Sequence, residues 1–570
     1  MTQVREIPMG TAFFRKRVEE FLSSNSLSLE AVDAYYAILD ENEEIIAGAG
    51  ISGDVIKCVA VAGEARSSGL MVPLISHIVS LSGGRCLKVF TKPEYKVVFE
   101  SLGFHLIASA PKAILLENGR GLEEYCAYLE AYRGEGRACA IVMNANPLTL
   151  GHEDLVRRAS EMFDRVYVIA VKEDVSLFSY EERLSMMNEV LSSDRISVLD
   201  GSSYQISAAT FPSYFIKDRS EASETQMRLD IDLFARRIAP VLGVTVRVVG
   251  EEPSDALTAR FNELLSALLP SYGLEASVLP RLCIGQVPLS ASMVRNALSV
   301  GDYRKASSMV PLGCRPYLLA HIALKALIGE LFLPLKPGLV CPDDNGAHSD
   351  MDERTMLKGI DAIQPYLWKM AKAQDASSLR QLGIEAEEDM LGATGGVNTH
   401  RGAIFAFGLA LNAAWRVEER GGQSADLQSL MQDALVEIAQ GVVRNQLSHN
   451  DLSATRPEVK GAREMALSGY KELFEDWLPF YRECRKKYPL GEARQRTLLK
   501  IMSTLDDTCV LHRAGSARLK KVKEEALETL SATDFDYSLK ELCRRYASER
   551  ISPGGAADML ALTIFFDSLV

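Results

Sequence analysis

Nowhere in the 570 residues does an apolar run approach the ~20 residues needed to cross a membrane. The opening Met1-Thr-Gln-Val-Arg-Glu6 has no apolar signal core. A reducing cytoplasm is therefore the expected compartment, and no membrane partner is expected. Paired cysteines are also missing. Cys58, Cys86, Cys126, Cys139, Cys283, Cys314, Cys341, Cys484, Cys509 and Cys543 stand singly, and no CxxC occurs. That excludes a zinc ribbon and a thioredoxin-type redox pair, and several of these cysteines sit in apolar runs, as buried thiols do. Long basic runs are absent against a net charge of −13. Arg485-Lys486-Lys487 and Lys520-Lys521 read as solvated helix faces, so no nucleic-acid partner is expected. What the chain does have is length for three or four domains at ~150 residues each.

Residues 1–117 read as a small α/β domain. A helix over Thr11–Ser23 leads to strands at Ala34–Leu39, Glu44–Ala49 and Ile56–Val61, then an apolar helix through Ser80. Strands Cys86–Phe90 and Ala113–Glu117 flank a helix that ends at Phe99–Phe104. Residues 118–137, with glycines at 119, 121, 134 and 136, read as a helical linker. Residues 138–316 alternate strand and helix, which implies a parallel sheet. Its strands are expected at 138–143, 165–171, 196–199 and 244–249, and its helices at 152–162, 180–191 and 290–299. From Tyr317 the strand signal nearly vanishes, and 317–570 reads as all-α. Amphipathic segments there cover 317–331, 353–373, 402–417, 426–444, 492–504 and 555–569.

The loop from Asn144 through Asn146, Thr149 and Gly151 to His152 follows an apolar strand and precedes a helix. Free backbone N–H groups and the positive helix end favour an anion there. A His in the first turn can donate to a phosphate oxygen as charge develops. Downstream, Ser290, Ser292 and Arg295 stand at another helix start, where a hydroxyl, amides and a guanidinium can hold phosphates. Phe178-Ser-Tyr-Glu-Glu-Arg183 begins with a capping box, Ser179 to Glu182. Helix capping is the bland alternative for His152 and Ser290.

Thr149-Leu-Gly151-His152 matches the T/H-x-G-H signature of nucleotidylyltransferases, and Leu289 through Arg295 resembles their I-S-x-S/T-x-x-R signature. The order of elements in 1–117 resembles the GNAT acyltransferase fold. Arg66 and Gly69 match the Arg-x-x-Gly part of its coenzyme A loop, with Met71 where that family has Gly or Ala. A domain that docks a pantetheine arm or only packs is the alternative to acetyl transfer. With Val249-Gly-Glu251-Glu252-Pro253 added, residues 1–315 resemble the citrate lyase ligase family. The resemblance implies a two-step reaction. Acetate attacks the α-phosphate of ATP, and the resulting acetyl-adenylate then acetylates the prosthetic thiol of the citrate lyase acyl carrier subunit. It implies His152 at the α-phosphate, Asn146, Thr149 and Gly151 lining the loop, and Ser290, Ser292 and Arg295 on the pyrophosphate. Mg²⁺ is expected with ATP. Lys172, at the end of the second strand, could add positive charge or be a plain surface lysine.

Four blocks stand out in the C-terminal region. The first runs from Lys336 through Asp343, Asp344, His348, Asp350 and Asp352. The second includes Gly395, Gly396, Asn398, Thr399, His400, Arg401 and Gly402. The third centres on Asp506, Asp507 and His512, and the fourth on Ser552, Gly554, Gly555 and Asp558. Glycines and hydroxyls before helices cradle anions. Lys336, His348, His400 and Arg401 can neutralise phosphate. Asp343, Asp350, Asp352, Asp506, Asp507 and Asp558 are candidate ligands for Mg²⁺, bases or cation stabilisers, and the sequence leaves those roles open. For any single His, a capping or core role is the alternative.

Together the blocks resemble the triphosphoribosyl-dephospho-coenzyme A synthase family, from about residue 320 onward. The resemblance implies that ATP and dephospho-coenzyme A are joined with release of adenine. It makes Lys336, Gly395, Gly396, Asn398, Thr399 and His400 the candidate ATP contacts. The expectation for the whole chain is a bifunctional citrate lyase maturation enzyme. The alternatives are the same chemistries serving another acyl carrier, such as the malonate decarboxylase system, or a nucleotide-binding scaffold with dead sites.

Overall fold

The computed structural model describes all residues except 1, 2, 67, 173–175, 207–210, 217, 254, 343, 422–426, 445–460 and 570. The chain divides into two compact units, Met1–Ala291 and Ser292–Val570. No helix among the described residues is long and apolar enough to cross a membrane.

The first unit holds two large sheets and a two-stranded ribbon pairing Cys283–Ile284 with Val287–Pro288. Strands β1 (Val4–Ile7), β2 (Ala34–Leu39), β3 (Ile45–Ser52), β4 (Val55–Val61), β5 (Lys88–Thr91), β6 (His105–Ser109) and β7 (Ile114–Glu117) form a sheet ordered β1-β2-β3-β4-β5-β7-β6. It is mixed: only β4 and β5 run parallel, and they pair only at Val55↔Lys88 and Ile56↔Val89 before parting. Tyr214 stands in the gap. Its hydroxyl donates to the Phe90 carbonyl of β5 at 3.4 Å, and the Val59 backbone of β4 lies on its other side. Phe211 meets Phe90 edge to face, and the Ser28 N–H donates to the Tyr214 carbonyl at 3.2 Å.

Strands β8 (Ala138–Met143), β9 (Arg165–Ala170), β10 (Ile196–Leu199), β11 (Val244–Gly250) and β12 (Glu275–Leu279) form the parallel sheet the alternation predicts, ordered β10-β9-β8-β11-β12. Its central strands β8 and β9 are nearly continuous apolar runs, as burial on both faces requires. Strand order reverses between β8 and β11, and that reversal opens a crevice at the carboxyl ends of the strands. Helix Gly121–Glu130, in the stretch that reads as a linker, buries Leu122, Tyr125 and Leu129. These residues belong to one apolar core that joins both sheets, from Val18 and Leu22 to Tyr167, Phe215 and Leu242.

The second unit is helical. Its nearly enclosed helices are Arg315–Leu331, Arg401–Glu419 and Gly554–Leu569, which pack on one another. Outside them lie Glu353–Ala371, Ala376–Ala393, Leu427–Arg444, Leu490–Thr504, Thr508–Leu530 and Phe535–Glu549. The one departure from helix and turn among its described residues is a bridge between Cys341 and Asp344.

Candidate functional sites

In the first unit the chain leaves β8 at Asn144 and enters helix Leu150–Met162. Arg183, fully buried, fixes the loop's start. It donates to the Asn144 carbonyl (2.8 Å), Asn144 Oδ1 (2.6 Å), the Val171 carbonyl (2.9 Å) and the Phe178 carbonyl (3.3 Å). Asn146 Oδ1 accepts from the Phe178 N–H at 3.2 Å. The helix begins two residues before the expected start because Thr149 caps it. Thr149 and His152 form a reciprocal capping box.

That box sets the state of the imidazole. The Thr149 N–H donates to His152 Nδ1 at 3.1 Å, with Thr149 Oγ1 2.9 Å from the same nitrogen. An Nδ1 that accepts a backbone N–H leaves the proton on Nε2. Burial, with the Arg281 charge nearby, drops the imidazole to about 4. His152 is therefore both a capping residue and a neutral Nε2–H donor. A Cβ on Gly151 would make only ordinary contacts, 3.5 Å from Thr149 Oγ1 and 3.6 Å from the Leu289 carbonyl. Arg281 belongs to no motif; it pairs with Glu252 and puts a positive charge near His152. Ser290 precedes helix Ala291–Ser299, which carries Ser292 and Arg295. The division between units falls inside this motif, leaving Ser290 in the first unit and Ser292 and Arg295 in the second. Lys172 is exposed, 5.6 Å from the Tyr180 ring centre.

In the second unit two cavities, of about 550 and 190 Å³, share Asn398, Arg401, Gly402, Cys509 and Asp558 in their linings. The smaller also gathers Lys336, His348, His400 and Arg513, and the larger Arg380, Asp506, Asp507 and Tyr470. Three of the four sequence blocks thus reach one shared wall. Lys336 is buried, its ammonium 2.5 Å from Glu330 Oε1 and 2.8 Å from the Glu330 carbonyl. His348 Nε2 lies 2.8 Å from Ser552 Oγ. Burial lowers the His348 pKa, and the Arg513 charge adds to it. His400 is buried beside Thr399 Oγ1 (2.8 Å). Burial drops its imidazole to about 4, with the Lys336 charge adding to that.

The carboxylates sort themselves by their partners. Asp507 Oδ1 accepts the Cys509 and Val510 N–H groups (2.9 and 3.2 Å) and caps helix Thr508–Leu530. Its Oδ2 accepts the Ala556 N–H at 2.9 Å. Asp506 pairs with Lys523 at 2.5 Å. Asp352 caps helix Glu353–Ala371 through Thr355. Asp350 is exposed, 3.7 Å from His348 Nδ1. Asp343 lies outside the described residues. Asp558 faces both cavities. Burial and the nearby Glu330 and Asp507 charges hold its carboxyl well above the usual range. Neither Asp350 nor Asp352 lines the two cavities, and nor do Gly395 and Gly396. Those glycines instead turn the chain after helix Ala376–Ala393 at φ +67° and +89°.

Comparisons with known proteins match the two parts of the chain separately, meeting at residues 316–318. The family model "Citrate lyase ligase C-terminal domain" matches residues 138–318, and "ATP:dephospho-CoA triphosphoribosyl transferase" matches 316–570. A [citrate [pro-3S]-lyase] ligase of Klebsiella pneumoniae is 38% identical over 317 residues, 54% of this chain and 92% of its own length. A probable 2-(5''-triphosphoribosyl)-3'-dephosphocoenzyme-A synthase of Stutzerimonas stutzeri is 40% identical over 268 residues, 44% of this chain and 91% of its own. The synthase of that name from Klebsiella pneumoniae is 36% identical over 263 residues, 44% and 93%.

Proposed function

The chain belongs to the citrate lyase ligase family through its first half and to the triphosphoribosyl-dephospho-coenzyme A synthase family through its second. From this we propose that its two reaction centres are the Thr149–His152 loop and the paired cavities around Asp558. It is a bifunctional enzyme of citrate lyase maturation. We read β1–β7 as a GNAT-like layer and β8–β12 as a Rossmann-like nucleotidylyltransferase sheet. The two family matches, meeting at 316–318, support a boundary near 316. Ten free thiols suit a reducing cytoplasm.

In the ligase reaction an acetate oxygen bonds to the α-phosphorus of ATP as the bond to pyrophosphate breaks. The protein's task is positioning and charge stabilisation. The observation that carries this reading is the pinned Nδ1 of His152, which leaves Nε2–H to donate to an α-phosphate oxygen. The room over Gly151 lets a phosphate approach the first turn of the helix. By the family motif, Ser290 meets the leaving pyrophosphate. The prosthetic thiol of the acyl carrier subunit then takes the acetyl group as the bond from its carbonyl carbon to the AMP oxygen breaks, releasing AMP and the thiol proton. Acetate-dependent pyrophosphate release is expected to fall ~10²–10³-fold in His152→Ala. Release that persists in the variant, or that propionate or malonate supports far better than acetate, overturns the reading.

In the synthase reaction the bond from the ATP ribose C1′ to adenine breaks and one to the ribose 2′-hydroxyl of dephospho-coenzyme A forms. Departure of adenine builds positive charge on the sugar, which a facing carboxylate stabilises. Asp558, which lines both cavities, is our candidate for that carboxylate, and Lys336, His348, His400 and Arg513 suit the retained triphosphate. Among the described residues no three His, Cys, Asp or Glu side chains converge as a metal-binding group. Mg²⁺ is expected to enter with ATP, carried on its phosphates. Absence of adenine release from ATP and dephospho-coenzyme A with the intact protein would overturn this half.

A further inference from the structure

Tyr470 belongs to none of the sequence blocks, yet it lines the larger cavity of the second unit. Its side chain is only 1% exposed, and its hydroxyl has no hydrogen-bond partner among the described residues. A buried hydroxyl left without a partner is costly, and such groups in folded proteins ask for an explanation. The backbone is unusual at the same place. Tyr470 sits at φ +52°, in the left-handed region that bulky residues rarely adopt, directly after Gly469 at φ +66°. The turn is tight: a Cβ on Gly469 would lie 2.9 Å from the Gln432 carbonyl. Strain of this kind persists where the surrounding structure holds a side chain to a task.

The two cavities differ in character. The smaller, about 190 Å³, gathers Lys336, His348, His400 and Arg513, a set suited to a compact polyanion. The larger, about 550 Å³, combines Arg380 and Arg463 with the apolar Met370, Leu379, Ile404 and Met559. That mixture suits a molecule with both a diphosphate and a long, weakly polar arm. Dephospho-coenzyme A has both, and ATP has no such arm. Tyr470 lines only the larger cavity, close enough to Asp558 to feel its charge.

Building on the synthase reading, we propose that dephospho-coenzyme A occupies the larger cavity. There the Tyr470 hydroxyl donates a hydrogen bond to an oxygen of its ribose, orienting the attacking hydroxyl toward the wall shared with the smaller cavity. In the transfer, the C1′–N9 bond of ATP breaks with its electron pair leaving on adenine, and the C1′–O2′ bond forms. The hydroxyl proton is lost, and adenine takes up one proton. Tyr470 keeps its own proton throughout. Burial and the Asp558 charge both raise the pKa of its hydroxyl, which keeps it a donor.

Tyr470→Phe in the full chain tests this, because it removes only an oxygen that the protein itself does not use. Adenine release is measured against dephospho-coenzyme A and ATP separately, alongside thermal melting. The expected result is a fall of about tenfold or more in kcat/KM for dephospho-coenzyme A, with KM for ATP within about twofold and Tm unchanged or raised. Unchanged kcat/KM, a loss confined to KM for ATP, or a loss accompanied by a lowered Tm overturns the proposal. If the intact protein released no adenine at all, the synthase reading would fall instead.

Discussion

Gly402 has no room for a side chain, since a Cβ there would run into the Asp558 carboxylate. Gly402→Ala is expected to displace the group that faces both cavities. Adenine release should fall by two orders of magnitude or more while acetate-dependent pyrophosphate release continues; equal loss of both activities would contradict it. Titration offers a second residue-scale prediction. His321 and His400 are both held at about 4, chiefly by burial, against about 6.5 unfolded. Between those values the unfolded chain binds more protons than the folded one. Stability from these groups is therefore full above pH 6.5 and is lost as pH falls toward 4. Each contributes up to about 3 kcal/mol, and thermal melting of the full chain between pH 7.5 and 5 should show it. His152, also at about 4, predicts no loss of ligase activity through imidazole protonation near pH 6.5. His152, His400 and Asp558 could be singled out in the sequence because they sit in blocks whose types and spacing point to phosphate chemistry, and the structure places the first at a helix start and the other two in cavity walls. Arg281 and Tyr470 were not. One is a surface-type residue near no motif, and the other a lone tyrosine between Ser468-Gly469 and Lys471-Glu472, so only folding brings them to the sites.

Asp507 joins two elements. Its carboxylate ties the start of helix Thr508–Leu530 to the start of helix Gly554–Leu569. Asp507→Ala removes a cap and leaves buried N–H groups unpaired. It should cost roughly 2–4 kcal/mol in denaturant unfolding; a loss of adenine release at unchanged stability would instead make Asp507 a catalytic group. Strands β2, β8 and β10 match their expected bounds. In the two larger sheets the strands missed, β1, β6 and β12, all lie at edges, where only β10, an apolar Ile-Ser-Val-Leu run, was legible. Their half-exposed sequences, Val4-Arg-Glu-Ile7 and Glu275-Ala-Ser-Val-Leu279 among them, lack the apolar run that marks a buried strand. Helix Gly121–Glu130 was legible as a helix. Its flanking glycines hid its place in the core, because they mark chain turns and say nothing of what the face between them covers.

At the scale of the molecule, the two family assignments and the change from mixed α/β to helical architecture could be read from the sequence, since periodicity changes near Tyr317. The continuity of the first unit could not, because it depends on contacts between residues far apart in the chain. One apolar core runs through both sheets and helix Gly121–Glu130. A fragment of residues 138–291 should therefore be insoluble or unfolded, whereas 1–291 should melt cooperatively. A soluble, cooperatively melting 138–291 fragment would contradict this. The aromatic segment in the gap between β4 and β5 has a consequence in time. On the ribosome β1–β7 emerge first, and Phe211, Tyr214 and Phe215 follow only after β8–β10. Chains stalled shortly after Tyr204 should be open to protease in the first sheet, and chains stalled well past Ala291 protected. For that interval of synthesis the nascent first sheet carries an open seam beside Phe90, and the chain closes it with a piece of the domain that has yet to fold.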